Sequence, residues 1–237
     1  MKAQFLDSER REVAMRAERL SNARIALPQV WQELTRGQTQ VVDSFVDDER
    51  CYFVLAPLPS GEQGAGLTER RRSILENLLC GKSIKAMAFD LHLSQSTVSQ
   101  EAKAAMQQLG LQCSPCRANP LLAMLARASV DRLFNRCARI ACFSVAERMF
   151  RIIGAARPEA GLSPLLSPAE LAVVRGLLEG RNYLEIAAYR GTSTRTVANQ
   201  LAAAFRRLGV SGRGSLLNHL VCAGDSLGSN SELRVRA

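Results

Sequence analysis

Aromatic side chains are scarce in this chain: its 237 residues include one tryptophan, three tyrosines and eight phenylalanines. Histidine is scarcer still, with only His92 and His219. Neither stands in a Ser or Cys partner arrangement, so the sequence offers no nucleophile–base pair and no enzyme is expected. No apolar run reaches the roughly 18 residues of a membrane span. The opening stretch MKAQFLDSERREVAMRAERL carries charges where a signal peptide needs an apolar run, so a cytoplasmic protein with no membrane partner is expected. The seven cysteines are odd in number and belong to no small secreted scaffold, which predicts reduced thiols.

Two of those cysteines form a Cys-x-x-Cys, Cys113 and Cys116, with Cys137 and Cys142 downstream. Four thiolates suit zinc, but Cys142 falls within an expected strand and Cys137 near an expected helix end. The favoured reading is therefore ordinary reduced thiols with no metal and no other cofactor, and whether Cys113 and Cys116 are redox- or metal-active is left open. The acidic run Asp47-Asp48-Glu49 reads as a solvated hairpin turn rather than a metal site. The Gly-rich stretch SGEQGAG (60–66) lacks a following Gly-Lys-Ser/Thr and reads as a linker, not a phosphate cradle.

Charge is unevenly distributed. The net charge is +9, yet residues 1–66 carry −2, while residues 67–128 and 161–224 carry +4 each. A basic body favours a polyanion, nucleic acid ahead of an acidic membrane. The bland alternative is a charge excess that serves only solubility.

The chain also repeats itself. LSQSTVSQ (93–100) returns as TSTRTVANQ (192–200), and Thr97-Val98 lies 99 residues before Thr196-Val197. The same offset superposes Leu78-Leu79 on Leu177-Leu178, Gly81 on Gly180, Ala88 on Ala187, Ser94 on Ser193 and Leu109-Gly110 on Leu208-Gly209. Self-similarity at one fixed offset, without a gap, predicts a duplicated unit. Upstream of each copy stand two short apolar runs joined by DDER or AER, the signature of a β-hairpin. The expected fold is mainly α with small β-hairpins, built from a repeated unit of leading helix, hairpin and four-helix module. The divisions are N-terminal helices (1–37), hairpin 1 (38–59), module 1 (67–128), hairpin 2 (138–158), module 2 (161–224) and a disordered tail (225–237). The N-terminal part is read as a charged helix over about 6–26, followed by a segment anchored by Trp31.

In the second copy, Ser167-Pro-Ala-Glu170 is a helix start with a capping box, and Gly180 is its stop. Asn182 with Glu185 starts a short helix, and Ser193 caps a third that runs to about Leu208. Val197, Leu201, Ala204 and Leu208 form its buried stripe. The first copy predicts helices over 68–80, 83–91 and 95–108, then one beginning at Asn119-Pro120 that runs on through RASVDRLFNR. Two short helices, a tight turn and a longer helix with an opposite polar face suit a helix-turn-helix.

LSPAELAVVRGLLEGRNYLEIAAYRGTSTRTVANQLAAAFRRLGV resembles the four-helix LuxR-type DNA-binding domain of bacterial transcription regulators. LTERRRSILENLLCGKSIKAMAFDLHLSQSTVSQEAKAAMQQLGL looks like a second, more diverged copy. The first copy departs from the family pattern at Arg71 and Ala86, where acids are expected, so its helix starts should be weaker by up to about 1 kcal/mol each. The resemblance implies double-stranded DNA as partner and transcription regulation as function. It places the DNA-facing positions at Ser96, Thr97, Ser99, Gln100 and Lys103 in one copy, and at Arg195, Thr196, Asn199 and Arg206 in the other. Gln, Asn and Arg read base edges, while the two threonines sit where a phosphate meets a helix start. Ala198 and Ala202 on the second face favour a merely solvated surface. The competing reading is an interaction protein, in which one or both modules serve a homodimer or RNA polymerase contact. The 66 residues before the first copy are too few for the sensory domains usual in the resembling family, so the sequence names no input signal.

Overall fold

The computed structural model describes residues 6–58, 66–113, 119–131 and 137–228. Two hairpins form its centre. Thr39–Val46 (β2) and Arg50–Pro57 (β3) make the first, and Cys137–Val145 (β4) and Arg148–Ala156 (β5) the second. They join through an antiparallel β3–β5 pairing in which Phe53 faces Ile153 and Val54 faces Ile152. A three-residue strand, Arg24–Ala26 (β1), adds to β4, giving a five-stranded sheet in the order β1-β4-β5-β3-β2. This joining is the physical remedy for isolated hairpins, which are marginal in water.

The alternation of β3 and β5 sends side chains to two cores. Phe53, Leu55, Ile153 and Ala155 pack with helices α2 (Leu27–Thr35) and α6 (Pro120–Val130) on one face. Trp31, 1% exposed, lies in that core and donates from its indole to Glu76 at 2.7 Å. Tyr52, Val54, Ile152 and Phe150 pack with helix α1 (Ser8–Leu20) on the other face. Here Glu18 is fully buried and accepts a 2.6 Å hydrogen bond from Arg50.

After hairpin 1 come α3 (Glu69–Leu79), α4 (Ile84–Asp90) and α5 (Gln95–Gln108), then α6. After hairpin 2 come α7 (Pro168–Leu178), α8 (Tyr183–Arg190), α9 (Thr194–Leu208) and α10 (Arg213–Gly228). The second series has its own apolar core, with Leu162, Val174, Leu178, Val197, Leu201 and Leu217 among its members. In the first series Ile74, Met87, Ala88, Val98 and Ala102 form a small cluster, while Leu75, Ala105 and Met106 belong to the sheet core. The fourth helices touch: α10 packs against α6 and α3 as well as α7.

Several local expectations are corrected. The charged N-terminal helix stops at Leu20, not near 26, because Ser21 is extended and its hydroxyl donates to the Ile140 carbonyl at 2.6 Å, turning 24–26 into strand β1. The link between hairpin 2 and the second helical series begins inside the expected hairpin, as a 3₁₀ turn, Pro158–Leu162, whose Glu159 and Leu162 are buried. Helix α6 ends at Val130, where Arg127 pairs with Asp131 at 2.7 Å, and the rest of the run-on helix lies outside the described residues. Cys137 opens strand β4 rather than lying near a helix end, and Cys116 lies outside the described residues. Asp47 is not merely solvated: it accepts from the amides of Glu49 and Arg50 and from the Tyr52 hydroxyl, so it shapes the turn. Helix α10 extends to Gly228, past the expected boundary at 224, and the remainder of the expected tail lies outside the described residues.

Candidate nucleic-acid interface

The two polar stretches that repeat are helix starts. Ser94 is extended, and its hydroxyl accepts from the Thr97 amide at 3.0 Å; Ser193 does the same for the Thr196 amide at 3.1 Å. Each serine thus satisfies one of the free N–H groups at its helix end. One residue past each threonine, Val98 and Val197 are fully buried. They are followed by Ala102 and Ala105 on α5, and by Leu201, Ala204 and Leu208 on α9, all buried. The buried stripe fixes which side of each helix faces out.

That outward side holds the residues singled out from sequence. Ser96, Ser99, Gln100 and Lys103 are exposed on α5 and Thr97 is half-buried; Arg195, Thr196, Asn199 and Arg206 are exposed on α9. Among the described residues, the side chains of Gln100, Lys103, Arg195, Asn199 and Arg206 have no hydrogen-bond or ion-pair partner. The hydroxyls are differently placed. Ser96 and Thr97 bond the Ser94 hydroxyl at 2.6 and 2.8 Å, and Thr196 bonds Ser193 at 2.9 Å. These three therefore stiffen the helix starts in the free protein.

The helices behind these faces are held differently in the two series. At the start of α7, Ser167 and Glu170 form a reciprocal capping box, and Arg207 of α9 reaches Glu170 at 3.1 Å. Hydrogen bonds from the Ser167 hydroxyl and amide hold the Glu170 carboxyl below its ordinary range. At the start of α3, Thr68 caps the helix without a box, because Arg71 stands where the acid would be. Arg71 instead crosses to α5, bonding Glu101 at 2.8 Å and Gln108 at 3.0 Å. That contact lowers the Glu101 pKa and replaces the missing box by a tie between helices. The α8 start keeps its box through Asn182 and Glu185, while α4 relies on Ser83 alone, with Ala86 at the acid position.

Sequence reasoning missed two features here. Large apolar groups stay exposed on the helix before each capped one: Phe89 and Leu91 near the α4 end, and Leu184 and Tyr189 on α8. Neither periodicity nor composition separates such residues from core ones. In addition, Ser99, Lys103 and Gln107, one stripe of α5, line a cleft whose other wall is the Ser211–Leu217 segment at the start of α10, so the α5 surface is divided between solvent and that cleft. Among the described residues no helix is long and apolar enough to cross a membrane.

No curated protein and no solved structure matches the chain. Residues 65–114, which span α3, α4 and α5, match the family model described as GerE, bacterial regulatory proteins, luxR family. The match falls on the first helical series, whose α3 and α4 starts carry no capping box. It suggests a DNA-binding transcription regulator, with double-stranded DNA as the partner of this segment.

Proposed function

We propose that this chain is a DNA-binding transcription regulator that carries two LuxR-type helix-turn-helix modules, residues 67–128 and 161–224. The observation that carries this reading is the shared construction of α5 and α9. Each is capped by a serine, anchored by a fully buried valine in its first turn, and turned so that unpartnered Gln, Asn, Lys or Arg side chains face outward. The family match supports the first module directly. The fixed 99-residue offset and the matching series of four helices support the second. The packing of α10 on α6 and α3 holds the two modules as a pair within one chain.

In this reading α5 and α9 enter major grooves. Gln100 and Asn199 read base edges, Lys103, Arg195 and Arg206 meet phosphates, and Ser96, Ser99, Thr97 and Thr196 support contacts at the helix starts. The test is anisotropy binding to a site selected from a random duplex library. Gln100→Ala and Asn199→Ala should each weaken that site by about 1–3 kcal/mol while affecting random DNA much less. Both being silent, with the fold intact, would overturn the reading.

The exposed Phe89, Leu91, Leu184 and Tyr189 favour a second reading, an interaction protein whose modules contact RNA polymerase or another copy of the chain. It predicts DNA affinity that is weak and nearly independent of salt, whereas a regulator loses affinity steeply as salt rises.

A further inference from the structure

A cleft of about 850 Å³ separates the first helical series from the start of α10. Its size lies within the range of small-molecule sites, and its position between two packed units is where such sites concentrate. Apolar groups from both sides line it, including Leu78, Ile84 and Ala102 from one and Leu217 from the other. Its charged lining residues are Lys82 and Lys103, with no carboxylate. Lys82 is already paired with Asp90, whereas Lys103 has no hydrogen-bond or ion-pair partner among the described residues. Hydroxyls of Ser99 and Ser211 lie along the same walls.

We propose that this cleft binds an amphipathic monocarboxylate, its apolar body against the leucines and its carboxylate on Lys103. One free ammonium flanked by neutral hydroxyls suits a single negative charge; a dianionic head would require a second free cation, and Lys82 is engaged. The consequence for regulation rests on the DNA-binding reading above. Lys103 and Ser99 belong to the α5 face assigned to DNA, so a carboxylate held on Lys103 withdraws that contact, and ligand and DNA compete. This supplies the chain with an input signal.

The probe is decanoate, titrated into the full chain by calorimetry, beside decanol, decylammonium and decyl phosphate. Decanoate should bind at one site per chain, more tightly than each of the other three. Lys103→Met should weaken it about two- to fivefold, the range of a single ion pair at an exposed site. Gly212 lines the cleft, and a Cβ there meets nothing within 4 Å, so Gly212→Trp sets an indole at the cleft wall with no clash at Cβ. That variant should melt like the wild type and lose decanoate. The proposal is overturned if decanoate does not bind, if decanol or decyl phosphate binds as tightly, or if Gly212→Trp still binds decanoate. A second arm measures duplex DNA affinity at constant ionic strength: decanoate should lower it in the wild type and leave Gly212→Trp unchanged. A chain that binds DNA but not decanoate refutes the cleft and spares the function. A chain that binds decanoate but not DNA does the reverse.

Discussion

Arg157 links the sheet to the second helical series. It follows β5, and its backbone amide donates to the Glu49 carbonyl at 2.8 Å. Its guanidinium pairs with Glu159, reaches the Asp47 carbonyl at 2.8 Å and meets Glu179, the residue that ends α7, at 3.2 Å. One side chain, 5% exposed, thus ties hairpin 2, the turn of hairpin 1 and helix α7. Burial works against its charge, but Glu159 and Glu179 more than offset this and hold its pKa above the ordinary value. Arg157→Met keeps the apolar stem and removes the charge. It strands the Glu159 carboxylate, whose side chain is 1% exposed and whose second oxygen already has no partner among the described residues. Breaking one half of a buried pair costs about 3–5 kcal/mol; the lower end applies, because Glu179 is part-exposed and can be solvated. Arg157→Met/Glu159→Gln removes the stranded charge and should recover more than half of that loss. Urea unfolding followed by Trp31 fluorescence reports the sheet core, and far-ultraviolet circular dichroism reports all the helices. In Arg157→Met the dichroism transition should move ahead of the fluorescence transition as the second series loosens first. A loss below about 1 kcal/mol, the value of a surface pair, or a double variant no better than the single one would refute the reasoning.

Three further outcomes follow from local geometry. Ala146 and Glu147 turn hairpin 2 with φ of 48° and 63°, so Ala146→Asn/Glu147→Gly should raise stability by roughly 1 kcal/mol or more in thermal melts, and no rise would show that the turn is not strained. Burial pushes the Cys51 thiol up to about 12, while Cys137 and Cys142 are exposed, so iodoacetamide at mildly alkaline pH should label the latter two and spare Cys51 until the chain unfolds, as peptide mass mapping will read. Glu170 has a folded pKa below its unfolded one, so its contribution is present above the ordinary carboxylate range and is lost as pH falls through the folded value; Ser167→Ala should therefore destabilise the protein at neutral pH, with the gap to wild type narrowing in acid melts.

The helices of both series and the four hairpin strands are legible in the sequence because their signals are local. Capping residues, glycine stops and the stripes ending at Leu109 and Leu208 each act within a few residues. Gly191 and Gly209 take left-handed φ at helix ends, as that reading requires. What stayed hidden depends on distant partners. Strand β1 exists because β4 offers it an edge, and nothing in Arg24-Ile25-Ala26 announces that pairing. The Pro158–Leu162 turn is ordered by Arg157 and by the second core, not by its own composition. Of the candidate interface, the outward direction of the nine residues was readable from helical period alone. That Ser99 and Lys103 also border a cleft was not, because its other wall is more than 100 residues away at Ser211–Leu217.

On the two-module reading, the outward faces divide the work of DNA binding unequally. On α5 they are mostly neutral, with Ser96, Ser99 and Gln100 beside the single cation Lys103. On α9 they carry Arg195 and Arg206, with Arg207 alongside but already engaged by Glu170. Cations that meet phosphates set the salt dependence, whereas neutral amides and hydroxyls release no counterions and leave it unchanged. The slope of log K against log salt should therefore be carried mainly by α9. Arg195→Ala/Arg206→Ala should flatten it by about 1.8, and Lys103→Ala by about 0.9, on the scale of roughly 0.9 per phosphate contact. Gln100→Ala should leave the slope unchanged while lowering affinity for the selected site. The measurement is anisotropy over a salt series on that site and on random duplex. If the double arginine variant keeps the wild-type slope, α9 does not face phosphate, and the first module alone carries the DNA contact.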